Sequence, residues 1–99
     1  MSISKSYHPD SQRVTIQIDG SLTQRDYEEF SLAFLHHSAN EHYNIELKNI
    51  SNLDSDGIGM LLLMRSHVRK NCEISISGCS DDVRKVFGAL NLSNLFNVH

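Results

Sequence analysis

The feature that most constrains this chain is a regular alternation of apolar and polar residues in three short segments, each set apart from the next by a helix-like stretch. Val14, Ile16 and Ile18 alternate with Thr15 and Gln17. Tyr43, Ile45 and Leu47 alternate with Asn44, Glu46 and Lys48. Cys72, Ile74 and Ile76 alternate with Glu73, Ser75 and Ser77. A strand turns successive side chains to opposite faces, so each segment reads as a strand with one buried face. Strands separated by helices pair in parallel through right-handed crossovers. A parallel strand covered on both faces would be a continuous apolar run instead. The expected class is therefore α/β, a two-layer arrangement with helices mainly on one face of the sheet rather than a doubly wound fold.

The remaining elements fill in around these strands. Residues 3–7 form a short first strand, and Pro9, Asp10 and Ser11 mark the turn of a hairpin into the second. A helix is expected over residues 24–37. Ser21 or Thr23 caps it, Asp26, Glu28 and Glu29 crowd its first turns, and Tyr27, Phe30 and Phe34 form its apolar stripe. A second helix spans residues 55–71, after a polar connection in which Ile50 and Leu53 point inward. The fourth strand runs from Cys72 to its end at Gly78. Ser80, Asp81 and Asp82 open a third helix with Val83, Val86, Phe87 and Leu90 as its buried face, and Leu92, Leu95, Phe96 and Val98 close the chain. The order is β-β-α-β-α-β-α: a mixed four-stranded sheet in a single domain over residues 1–99.

Composition narrows the function. Hydrophobic residues make up 39% and charged residues 21%, which is ordinary for a globular chain. The net charge of -3 supplies no basic surface for nucleic acid and no polybasic segment for a membrane. The N-terminus lacks a signal-peptide pattern, and the apolar run at residues 60–64 is too short to span a bilayer. Cys72 and Cys79 fit neither a redox nor a zinc spacing, and read as small residues in a reducing cytoplasm.

The informative stretch runs from Asn49 through Ser51 and Asn52 to Leu62. It leads from a strand, through a loop, into a helix N-terminus. The first N–H groups of a helix have no internal acceptors, and the helix dipole makes them favourable to anions. A phosphate on Ser55 would be tolerated there, yet it would add about -1.5 to -2 of charge beside Asp54 and Asp56. An apolar or acidic partner surface would be repelled. Asp54 or Ser55 can also be read as an ordinary N-cap. Gly57 and Gly59 each cost the helix roughly 1 kcal/mol relative to Ala, a cost that close packing or a docking partner would offset. The helix also carries two apolar stripes: Ile58, Leu61, Leu62 and Val68, and Met60, Leu63, Met64 and His67. One suffices to hold it on a sheet. The other is either further core or an exposed, Met-rich binding patch.

With this order of elements and the run Leu53-Asp54-Ser55-Asp56-Gly57-Ile58-Gly59, the chain resembles STAS domains, and within them the bacterial anti-sigma factor antagonists. Gly20-Ser21-Leu22, Leu47-Lys48-Asn49-Ile50, Gly78 and the closing Leu90-Asn91-Leu92 with Leu95-Phe96 add to the resemblance, which covers nearly the whole chain. It implies a partner switch in transcription regulation. The unphosphorylated domain binds an anti-sigma factor that is also a GHKL-type serine kinase, phosphorylation of Ser55 releases the complex, and a PP2C-type phosphatase resets it. The partner face implied comprises Asp54, Asp56, Gly57, Ile58, Gly59, Met60, Thr23 and Gln24. The protein would then be a cytoplasmic binder and phosphoprotein, not an enzyme, with no cofactor and no metal. Two positions depart from the family pattern: Asp56 stands where Ser, Thr or Ala is common, and Thr23-Gln24-Arg25 follows Leu22 without an acidic residue directly after it.

Rival readings are weaker. Ser55 as a nucleophile would need a base, and none of the six histidines lies in a hydrolase motif. Adjacent His36 and His37 point about 100° apart on a helix, so they are poor joint ligands with His42. No P-loop is present. The serious alternative is a STAS domain used without phosphorylation, as a fixed interaction subunit of a larger assembly such as a lipid-transport ABC system.

Overall fold

The structure, a computed structural model, describes residues 2–35, 41–50 and 53–98. Its sheet has five strands in the order β1-β2-β3-β4-β5. The strands are β1 (Ser2–His8), β2 (Arg13–Asp19), β3 (His42–Lys48), β4 (Ile74–Ser77) and β5 (Asn97–Val98). β1 pairs antiparallel with β2, and every other neighbouring pair is parallel. The fifth strand corrects the expected count of four. Two residues at the end of the chain lie beside β4, too few to leave an alternation in the sequence.

The alternation does set the layers. Register aligns Val14 with Tyr43 and Ile74, then Ile16 with Ile45 and Ile76, and Ile18 with Leu47. All eight are buried, while the residues between them are half-exposed or exposed. One face of the sheet is thus the floor of the core. The helices α1 (Tyr27–Leu35), α2 (Ser55–His67) and α3 (Asp81–Ala89) cover it with Phe30 and Phe34, Met60, Leu61 and Met64, and Val83 and Phe87. The opposite face carries polar pairs such as Gln17 to Glu46 at 2.7 Å and Arg13 to Asn44 at 2.8 Å.

Helix boundaries differ from the expected ones for identifiable reasons. The first helix opens as a 3-10 turn at Gln24–Asp26 before α1 begins. Its cap is Thr23, whose N–H and hydroxyl both donate to the buried Asp26 carboxylate at 2.8 and 3.2 Å. His36 and His37 lie outside the described residues. α2 stops at His67, not at residue 71. Val68 is already extended, and the Arg65 guanidinium reaches forward to donate to the carbonyls of Val68, Arg69 and Cys72 at 3.3, 2.6 and 3.0 Å. Those bonds satisfy carbonyls at and beyond the helix end, which have no intrahelical partner. Cys72 is buried in the turn that follows, so β4 begins two residues later than expected. In α3 only Val83 and Phe87 are buried. Val86 is half-exposed, and Leu90 is exposed because the helix ends at Ala89 and the chain turns at Asn91, which has φ 56°.

Among the described residues no helix is long and apolar enough to cross a membrane.

Candidate functional site

The loops at the C-terminal ends of β2 and β3 place the segment that leads into α2. Gly20 donates its N–H to the Lys48 carbonyl at 2.9 Å, and the Asn49 amide donates to Asp19 at 3.0 Å. Asn49 itself has φ 55°, a left-handed turn that Asn tolerates better than most residues. Ile50 and Leu53 are buried, as their apolar character suggested, and they anchor both sides of the connection. Ser51 and Asn52 lie outside the described residues.

Asp54 is the N-cap of α2. Its backbone is extended, and its carboxylate accepts the Gly57 N–H at 2.8 Å. The cap is therefore Asp54 and not Ser55, which is the first helical residue. Asp54, Ser55 and Asp56 are all exposed. Their placement matches what the sequence suggested: a hydroxyl flanked by two carboxylates at the positive end of a helix dipole.

The two glycines separate in role. Gly57 is buried. A Cβ there would lie 2.7 Å from the Leu22 carbonyl oxygen and 3.3 Å from Leu53 Cδ2. Its missing side chain lets the loop before α1 close onto the first turn of α2, so it does not present backbone to another molecule. A Cβ at Gly59 would meet nothing within 4 Å and would face open space. Of the two, only Gly59 offers a partner a close approach.

Met60 is also corrected. It is 5% exposed and Met64 is fully buried, so the two methionines of that stripe are core, while Leu63 of the same stripe is exposed. The buried residues of α2 are Gly57, Met60, Leu61 and Met64, followed by Val68 just past its end, and they come from both stripes seen in the sequence. The residues left outside are leucines: Leu62 and Leu63 are exposed, and Ile58 is half-exposed.

These positions shape the surface beside Ser55. A groove of about 510 Å³ is lined by Gln24, Tyr27, Ser55, Asp56, Gly59, Met60 and Leu63. A second, about 540 Å³, lies on the other side of Asp56 against Thr23, Gln24 and Arg25. The fold thus brings Gln24 to Ser55, and Thr23 to Asp56. The Thr23 hydroxyl is already spent on Asp26. Tyr27 was read as a core residue and is 48% exposed, facing the groove. It and Leu63 are the site residues that spacing alone did not isolate. The only signal for Leu63 was the surplus of apolar residues on α2 beyond one stripe.

Two comparisons bear on this arrangement. The family profile described as "Mlab, STAS domain" matches residues 6–97. The chain belongs to the STAS-domain family. A STAS-domain containing protein of Pseudomonas aeruginosa (strain UCBPP-PA14) is 35% identical over 100 residues, covering 99% of each chain. The STAS assignment suggested by the Asp54–Gly59 run thus extends over nearly the whole length, and Asp54, Ser55 and Gly57 sit at the strand–loop–helix junction where that run was expected.

Proposed function

We propose that this STAS domain is a partner-switching regulator of the anti-sigma factor antagonist type, with Ser55 as the phosphoacceptor. In this reading the unphosphorylated face around Ser55, Asp56, Gly59 and Gln24 binds an anti-sigma factor that is also a GHKL-type serine kinase. Phosphorylation of Ser55 releases it, and a PP2C-type phosphatase restores the binding form.

One observation carries the reading. Ser55 is exposed on the first turn of α2 at the mouth of a groove, while the neighbouring Asp54 performs the capping. Because the cap is made by another residue, the serine is not needed to start the helix. Modifying it changes the surface rather than the fold. A phosphate there would add about -1.5 to -2 of charge between two exposed carboxylates. A partner covering Leu63 and Tyr27 would have to bury that charge, and an unpaired buried charge is strongly unfavourable.

Ser55→Ala should bind the kinase partner whether or not ATP is present. Ser55→Asp should weaken the complex, and unchanged affinity for Ser55→Asp would count against the mechanism. The match to the Mlab description favours a second reading, a fixed interaction subunit that is never phosphorylated. It uses the same surface and differs in one observable: Ser55 would stay unmodified in the cell.

A further inference from the structure

A phosphate on Ser55 would stand beside Asp54 and Asp56, both exposed, and their carboxylates disfavour its second negative charge. The first turn of α2 is already partly satisfied, because the Asp54 carboxylate accepts the Gly57 N–H at 2.8 Å. A full counter-charge has to come from another element.

The loop before α1 supplies one. Among the described residues lining the two grooves that meet at Asp56, Arg25 is the one basic side chain. It is exposed and makes no ion pair among the described residues. Its backbone is nevertheless held close to Ser55. Gly57 packs so tightly under the Leu22 carbonyl that a Cβ would stand 2.7 Å from the oxygen. Ser55 lies two residues before one member of that contact, and Arg25 three residues after the other. The Thr23 N–H and hydroxyl both donate to Asp26 at 2.8 and 3.2 Å, which fixes the chain on either side of Gln24 and Arg25. Gln24 and Asp56 line both grooves, so the path from Arg25 to Ser55 crosses open space past these two residues. The base is fixed, and the long side chain is free to move.

We infer that Arg25 reads the phosphorylation state of Ser55: the guanidinium reaches past Asp56 and pairs with the phosphate, with the Gln24 amide as a second donor. The inference rests on Ser55 being the phosphoacceptor and adds what the modified chain does with its new group. Guanidinium and phosphate form charge-assisted, frequently bidentate pairs. The clamp draws Gln24 and Arg25 over the mouth of the groove. Phosphorylation then withdraws part of the partner face as well as charging it. The other titratable groups around the phosphate are Asp54, which caps α2, Asp56, the buried Asp26 held by Thr23, and the Tyr27 phenol.

Phosphoserine installed at position 55 during synthesis of the full chain, followed by phosphorus NMR across the second ionisation of the phosphate, tests this. That ionisation falls at about pH 6 when nothing perturbs it. A paired guanidinium favours the dianion and lowers the midpoint, while the flanking carboxylates raise it equally in every variant. Arg25→Gln should therefore move the midpoint up by about 0.5–1 pH unit. Arg25→Lys should move it up by less, because the ammonium keeps the charge but not the planar fork. Arg69→Gln, exposed beyond the other end of α2, should leave it where it was. Circular dichroism confirms that each variant is folded. A midpoint indifferent to Arg25→Gln, or moved as far by Arg69→Gln, overturns the inference. A kinase that leaves Ser55 unmodified would instead overturn the switch. The two failures are told apart because no kinase is needed to install the phosphoserine.

Discussion

Gly57→Ala and Gly59→Ala should move stability in opposite directions, although they are two residues apart in one helix. Both replacements gain helix propensity, up to about 1 kcal/mol. At Gly59 nothing opposes that gain, because no atom lies within 4 Å of the new Cβ. At Gly57 the methyl group would stand 2.7 Å from the Leu22 carbonyl oxygen and 3.3 Å from Leu53 Cδ2. The carbonyl belongs to the backbone and cannot turn away, so the loop before α1 must move. Overpacking of this kind costs about 1–3 kcal/mol. The net expectation is a loss of about 1–2 kcal/mol for Gly57→Ala and a gain of about 0.5–1 kcal/mol for Gly59→Ala. For a domain of this size each kcal/mol is worth about 4–8 °C in Tm. Thermal and urea melts at low protein concentration read both effects directly. Two shifts of the same sign would refute the assignment of Gly57 to packing and of Gly59 to open surface.

Other consequences can be checked on the same melts. Asp54→Ala removes the carboxylate that accepts the Gly57 N–H and should cost about 1 kcal/mol, most of which Asp54→Asn or Asp54→Ser should return. Arg65→Met leaves the carbonyls beyond α2 without their guanidinium and should cost about 2–3 kcal/mol. Arg65→Lys should not restore it, because the ammonium lacks the planar fork. Tyr43, buried and then raised further by the Glu41 carboxylate, has its phenol pushed up to about 12 from 10.0. The folded state keeps a proton that the unfolded chain releases. This contribution is whole below pH 10 and is lost as pH rises through about 12, by an amount on the order of 2 kcal/mol. Urea midpoints taken across that alkaline window should fall less steeply for Tyr43→Phe.

Strand positions were legible because burial on one face writes a period of two directly into the sequence. Val14, Ile16 and Ile18 and their partners in β3 and β4 lie where the alternation put them. α2 was harder to read. It holds more apolar residues than one face can bury, and spacing alone cannot say which stripe meets the sheet. The register of Gly57 against Leu22 settles this, turning Met60 and Met64 inward and Leu62 and Leu63 outward. The end of α2 was not legible either, because it depends on a side chain, Arg65, reaching forward to carbonyls beyond the helix. β5 is held by its neighbour and carries no pattern of its own. At the site, the acidic flanks of Ser55 and the cap at Asp54 could be read from residue type. The separate roles of Gly57 and Gly59 needed the packing around each.

The central claim is that Ser55 carries the switch. Peptide mass spectrometry after incubating the protein with ATP and a candidate GHKL-type serine kinase tests this most directly. The account predicts one phosphate, mapped to Ser55, and loss of the kinase complex as it accumulates. A phosphate on another residue, or a stable complex with Ser55 unmodified, would contradict it.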